Sequence, residues 1–172
     1  MHVFDADKIR GDLHIRLARA GEQLTALDGE TYKLEDGMTV IADDEAVESL
    51  GGVIGGERTG CTEETTAVFL ESAYFDPVRT ASTGRRLNLI TDARYRFERG
   101  VDPGFVQDGL EIATRLILEI CGGEASELTT AGSQPSSDRA IDFNKERVET
   151  LGGVSLPDKT IESILTSLGF TL

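Results

Sequence analysis

Glu71 ends the apolar run Val68-Phe69-Leu70 and precedes Ser72-Ala73-Tyr74-Phe75. A carboxylate at the end of a buried run is paired, exposed at the strand tip, or awaiting a donor from a ligand, because a lone ionised group is costly to bury. On the residues alone, pairing is the expectation. The second stretch with chemical potential is glycine-rich: five of the ten residues from Gly51 to Gly60 are glycine. Such density lets a backbone approach a ligand closely or adopt positive φ. It fits a bulged strand with tight turns as well as a ligand-lining backbone.

Several chemistries are excluded by residue type. Residues Gly55 to Thr62 come near a phosphate-binding loop, with Gly60 and Thr62 in place. Cys61, however, stands where a lysine would neutralise phosphate, and no amphipathic helix follows. No Gly-x-Ser-x-Gly elbow with a Ser-His-Asp order occurs, and neither cysteine has a nearby histidine, so a covalent nucleophile is not expected. Cys61 and Cys121 lie far apart and are joined only by His2 and His14 as soft ligands, which makes no transition-metal set. The cysteines are expected to be reduced, buried and apolar.

Composition narrows the rest. The 172 residues carry 17 Lys and Arg against 31 Asp and Glu, a net charge of −14. A dedicated nucleic-acid binder has the opposite balance. RNA contact is therefore confined to Arg79, Arg85, Arg86, Arg94, Arg96 and Arg99, a cluster that salt bridges and solvated faces explain equally well. With 39% hydrophobic residues the chain can build a core. No apolar run reaches the roughly 20 residues of a membrane span, and the start lacks a signal-peptide pattern.

The elements that must position these residues read as mixed α/β. Leu13, Ile15 and Leu17 alternate with polar residues as a half-buried strand. Gln23 to Leu34 reads as a hairpin with Asp28-Gly29 in a type I′ turn. Thr39 to Ala42 and Ala67 to Leu70 are apolar strands, and Pro77 opens a short helix. In the stretch Thr91 to Pro103, Tyr95 and Phe97 alternate with Arg94, Arg96 and Glu98, which predicts an extended segment anchored by its aromatics. Arg96, Glu98 and Arg99 are expected to fix its path by ion pairs. A long helix follows from about Phe105 to Cys121, its core stripe Phe105, Ile112, Leu116, Ile117 and Ile120, stopped by Gly122-Gly123. Thr130 to Asp138 is a polar linker. Beyond it Arg139 to Phe143 reads as a strand, Asn144 caps a short helix, and Pro157-Asp158 starts another through Ile161, Ile164, Leu165 and Leu168.

Taken in order, five motifs become specific together: His2-Val-Phe-Asp-Ala-Asp-Lys8, Gly51-Gly-Val-Ile-Gly-Gly-Glu57, Leu70-Glu-Ser-Ala-Tyr-Phe-Asp-Pro77, Arg85-Arg-Leu-Asn-Leu-Ile-Thr-Asp-Ala93 and Arg96-Phe-Glu-Arg-Gly-Val-Asp-Pro103. The series strongly resembles the editing domain of the beta subunit of bacterial phenylalanyl-tRNA synthetases. The resemblance covers residues 1–132, with a linker at 133–138. Residues 139–172 resemble the N-terminal half of the next, winged-helix-like module. The implied fold is α+β, layered β-sheets with flanking helices in the editing-domain fold, followed by a partial winged-helix-like α+β module.

Two departures stand out. The family has a Gly-Gln-Pro-x-His run, and this chain begins at the residue before that histidine, so Met1 reads as an internal residue or an added start and an arginine the family uses is missing. Arg94 occupies a position where the family often has serine, which bears on the charge of the pocket rim.

The resemblance implies hydrolysis of the ester joining a misattached tyrosine to phenylalanine's tRNA. The implied editing pocket contains His2, Gly52, Gly55, Glu71, Thr91 and Ala93. Glu71 would read the tyrosine hydroxyl, the glycines would let the aromatic ring lie against bare backbone, and Ala93 would keep the pocket wide. Either His2 or Thr91 would position the hydrolytic water or the terminal ribose. It further implies a cytoplasmic heterotetramer of two alpha and two beta subunits, with ATP and magnesium used elsewhere in the whole synthetase and no cofactor in this piece. A non-catalytic module that scaffolds subunits and guides tRNA is the alternative.

Overall fold

The computed structural model describes residues 1–135 and 140–172. In chain order its strands are β1 (His2–Asp5), β2 (His14–Leu17), β3 (Gln23–Thr25), β4 (Thr31–Lys33), β5 (Thr39–Ala42), β6 (Val47–Leu50), β7 (Ile54–Gly55) and β8 (Val68–Glu71). Its helices are α1 (Pro77–Arg86), α2 (Asp92–Phe97), α3 (Val106–Cys121), α4 (Glu146–Thr150) and α5 (Asp158–Ser167). The result is a mixed α+β architecture. The chain divides into two compact units, Met1–Gln134 and Pro135–Leu172.

In the first unit a four-stranded antiparallel sheet has the order β2-β5-β6-β7. All four residues of β6 are buried, so this strand is covered on both faces. The main core gathers Leu24, Leu34, Met38, Val40, Leu50, Val53 and Leu89 around it. A smaller cluster of Phe4, Ile41 and Phe75 links the sheet to a separate two-stranded ladder, β1 against β8.

β5 has the predicted bounds, but other expectations are corrected. β2 forms as predicted, yet Ile15 and Leu17 are 58% and 47% exposed, because β2 is the edge of its sheet and its flank is uncovered. The hairpin β3–β4 forms, but only Gly29 has positive φ while Asp28 does not. A type I′ turn needs both; here Gly29 N–H closes onto the Ala26 carbonyl at 2.8 Å instead. Both cysteines are exposed rather than buried: Cys61 lies in the loop after Gly60, and Cys121 ends α3.

The largest revision concerns Thr91 to Pro103. The predicted extended segment is a helix, α2, followed by a short 3-10 turn at Pro103–Phe105. Thr91 caps α2, its Oγ1 accepting from the Arg94 N–H at 3.1 Å. The side chains that turn inward are Arg94, Phe97 and Glu98, a helical spacing, while Tyr95 stays 60% exposed under the Arg99 guanidinium, 3.7 Å from its ring centre. The alternation of aromatic and charged residues was therefore a coincidence of composition. The cap and the i,i+4 pair Arg94–Glu98, at 2.9 Å, are the local forces that select helix.

α1 is entered through Asp76, whose carboxylate accepts from the Arg79 N–H at 2.7 Å, with Pro77 in the first turn. α3 stops at Gly122, φ +75°, as predicted. Its predicted core stripe is largely outside: Ile112, Leu116 and Ile120 are 47–73% exposed, and the buried residue of the helix is Gly109. Ser72 Oγ donates to the Val106 carbonyl at 2.8 Å and holds the start of α3 beside β8.

In the second unit Asn144 Oδ1 accepts from the Glu146 N–H at 2.9 Å and starts α4. α5 begins after Pro157 and buries Ile161, while Ile164 and Leu168 are exposed. Residues 140–143 form no strand. Arg139 and the end of the predicted linker, 136–138, lie outside the described residues.

Candidate functional site

Strands β1 and β8 run antiparallel with His2 directly opposite Glu71 and Phe4 opposite Phe69. Opposed residues share one face of a ladder, so these four side chains project together. The His2 ring packs edge-on against the fully buried Phe4, centroids 4.4 Å apart. On its other side it meets Gly55, where a Cβ would overlap Cε1 and sit 2.9 Å from Nε2. His2 can lie there only because residue 55 has no side chain.

The polar ends of both residues are unpaired. His2 Nε2 and Glu71 Oε1 are buried and have no hydrogen-bond partner among the described residues. Burial pushes the His2 imidazole below its usual range. Burial pushes the Glu71 carboxyl up. The expected pairing of Glu71 is not what the structure shows: β8 carries the carboxyl inward beside an imidazole biased toward its neutral form, and no side-chain partner for Glu71 occurs among the described residues.

The glycine segment Gly51–Gly55, whose residues 51–53 turn the chain from β6 into β7, is the seam to which the other predicted positions attach. Val53 N–H closes it onto the Leu50 carbonyl at 2.9 Å, and Gly52 takes φ +72°, a value that favours glycine. A Cβ on Gly52 would lie 3.0–3.1 Å from Phe97 and Phe75, and one on Gly51 would strike Phe75 at 2.8 Å. The two phenylalanine rings, 5.4 Å apart, back this turn. Thr91 Oγ1 donates to the Val53 carbonyl at 2.6 Å, so the cap of α2 is bolted to the centre of the turn. Ala93 is exposed on the first turn of α2, one turn before Phe97.

Five predicted positions, His2, Gly52, Gly55, Glu71 and Thr91, are therefore linked through one turn and one ladder, and Ala93 lies on the helix that Thr91 caps. The close approach that glycine permits at 52 and 55 is taken by the protein's own rings. Arg94 does not enter this arrangement as a free charge: its side chain is 15% exposed and pairs with Glu98. Phe4, Phe75 and the Val53 carbonyl were not singled out in the sequence, and Phe97 was marked there only as an anchor of its own segment. The place of Phe75 and Phe97 beside the glycines gave no signal because they flank them only in space.

A separate buried cluster was also missed. Arg58 binds Asp43 and Glu48, whose side chains are fully buried, and reaches Glu45 at 3.6 Å. The hint was Glu48 inside the apolar run of β6. Of the six arginines considered for RNA, Arg86 pairs with Glu35 at 2.6 Å, and Arg94 and Arg99 pair with Glu98. Arg79, Arg85 and Arg96 are exposed without an ion pair among the described residues. No group of His, Cys, Asp and Glu among the described residues could hold a metal ion, and no described helix is long and apolar enough to cross a membrane.

Fold and sequence together define a class: residues 1–122 match the B3/4 domain, and the chain belongs to that family. The individual relatives are named phenylalanine–tRNA ligase beta subunit. That of Paramagnetospirillum magneticum is 57% identical over 98% of this chain, that of Cereibacter sphaeroides 56% over 100%, and that of Ruegeria pomeroyi 54% over 100%. The chain spans only 21–22% of the length of these relatives.

Proposed function

We propose that this chain is a piece of a phenylalanine–tRNA ligase beta subunit, and that its first unit is the editing domain, which hydrolyses the ester of tyrosine misattached to phenylalanine's tRNA. The observation that carries the reading is the Glu71 carboxylate, buried, unpaired and directly opposite His2. A stability-driven fold has no reason to keep such a group. A site that reads a hydroxyl does.

The selectivity follows from that pairing. A pocket for phenylalanine rejects an added hydroxyl by only about 10²-fold, whereas a site built to hydrogen-bond that hydroxyl rejects the bare ring far more strongly. Tyrosine donates its O–H to Glu71; phenylalanine leaves the carboxylate buried and unpaired. Gly55 and Gly52 line the pocket by letting His2, Phe75 and Phe97 close in, and Ala93 keeps the rim open.

Hydrolysis uses water rather than a covalent nucleophile. Water oxygen attacks the ester carbon, the bond to the ribose oxygen breaks, and that oxygen leaves with a proton, giving tyrosine and tRNA. His2, neutral near pH 7 and with Nε2 unpaired, is suited to hold the water. Thr91, whose hydroxyl proton is given to Val53, acts on the turn or on the terminal ribose through its remaining lone pair.

The second unit is read as the first half of a winged-helix-like module. In the assembled enzyme, two alpha and two beta subunits, the alpha subunit supplies the ATP- and magnesium-dependent aminoacylation site. The competing reading, a scaffold that guides tRNA without catalysis, is favoured by the net charge of −14. Deacylation of tyrosyl-tRNA by the whole synthetase separates the two. Loss of the preference for tyrosyl over phenylalanyl ester in Glu71→Ala, with slowed hydrolysis in His2→Ala, supports editing; unchanged deacylation in both supports the scaffold.

A further inference from the structure

Arg94 and Gly84 are interlocked across two helices. The Arg94 side chain leaves α2 and passes over α1 at Gly84, where a Cβ would overlap Cδ and Nε and sit 2.9 Å from Cζ. Gly84 is buried in the helix and its φ is not positive, so no backbone conformation calls for glycine there. In a helix interior glycine costs about 1 kcal/mol relative to alanine. What it provides is room for the arginine.

The guanidinium is held at both ends of this slot. Nη1 donates to the Leu89 carbonyl at 2.6 Å and Nε to Glu98 at 2.9 Å. The Leu89 N–H in turn donates to the Gly84 carbonyl at 2.9 Å, which closes the loop between the helices. At its backbone end, Arg94 N–H donates to Thr91 Oγ1, and that hydroxyl donates to Val53 in the glycine turn. The side chain clamped in the slot and the amide that fixes the Thr91 hydroxyl thus belong to one residue.

We infer that Arg94, seated in the slot that Gly84 opens, is a positioning residue that sets the Thr91 hydroxyl and through it the Gly51–Gly55 turn of the editing site. The inference rests on the proposed hydrolysis. Arg94 touches neither substrate nor reacting atoms; it acts through Thr91.

The test is a two-by-two cycle in the complete beta subunit assembled with its partner: wild type, Gly84→Ala, Arg94→Ser and the double variant, with Arg94→Lys as a fifth protein. Deacylation of tyrosyl-tRNA is measured as kcat and KM, beside the thermal midpoint of each protein. Displacing a site group by about 1 Å costs up to about 10²-fold in rate. Each single variant is expected to lose about 10- to 100-fold in kcat with KM within about 3-fold, Arg94→Lys to lose less than Arg94→Ser, and the double variant to lose no more than Arg94→Ser alone, because alanine at 84 has nothing left to strike. Multiplying losses in the double variant, or a wild-type kcat in Arg94→Ser, overturns the inference while the editing reading stands. A loss in kcat that merely tracks the thermal midpoint, undistinguished between lysine and serine at 94, also overturns it. A wild-type enzyme that fails to hydrolyse tyrosyl-tRNA overturns both.

Discussion

His2 and Glu71 are partners in the register of β1 and β8, and each brings to that rung a buried polar atom with no hydrogen-bond partner among the described residues. An opposed histidine and glutamate would ordinarily form an ion pair. Here burial drives both toward their neutral forms, the imidazole losing its proton more readily and the carboxyl keeping its own. The rung is thereby a weak point in stability.

Glu71→Gln is therefore expected to stabilise the protein at neutral pH. The folded-state pKa of Glu71 is raised above 4.5, so its contribution is fully present below about pH 4.5 and is lost as pH rises through the folded value. Removing the charge should recover about 1–3 kcal/mol at pH 7 to 8 and nothing near pH 4. Thermal unfolding across that range checks this. A variant less stable than wild type at pH 8 would show that the carboxylate has a partner.

His2 titrates in the opposite sense. Its folded-state pKa lies below 6.5, so its contribution to stability is present above about pH 6.5 and fades as pH falls through the folded value. The imidazole proton shifts should report a midpoint below 6.5 by nuclear magnetic resonance, and His2→Asn should flatten that part of the stability profile.

Gly55→Ala should displace the His2 ring, since the new methyl group and Cε1 cannot share the space. A loss of about 1–3 kcal/mol is expected from the overpacking. His2→Ala in the same protein should return most of it, because the cavity and the methyl group compensate. Equal losses in the single and double variants would mean that the two residues do not touch.

Thr91→Val keeps the shape but removes the cap of α2 and the bond to Val53. The expected cost is about 1–2 kcal/mol, with faster amide exchange at Arg94, and Thr91→Ser should recover it. Thr91→Val matching wild type in both measurements would remove Thr91 from the anchoring role.

Arg58→Met leaves Asp43 and Glu48 buried without their cation. Arg58 is itself 38% exposed in its side chain, which places the loss near the low end for a broken buried pair, about 3 kcal/mol. Chemical denaturation measures it, and a loss below about 1 kcal/mol would mean that water already solvates the two acids.

Much of this architecture is legible in local sequence. β5, β8, the turn into α1 at Asp76-Pro77 and the glycine stop of α3 are set by local features: short apolar runs, capping and the freedom of glycine at positive φ. The helical character of α2 was present as Thr91-Asp92 and the Arg94–Glu98 spacing, but a six-residue helix holds too few periods to outweigh two alternating aromatics. The amphipathic pattern of α3 declares an apolar face and is silent on what covers it. That is why Ile112, Leu116 and Ile120 were read as core and are exposed.

The sequence by itself determined which residues deserve attention: Glu71 and the glycine run stand out by residue type and position, and Thr91 through the motif series that carries the family resemblance. Only the tertiary structure decided their partners. The pairing of residue 2 with residue 71, the unpaired state of both, the seat of His2 on Gly55 and the passage of Arg94 over Gly84 all depend on strand register and helix packing between distant segments. Burial and register are properties of the assembled chain, and no spacing along it encodes them alone.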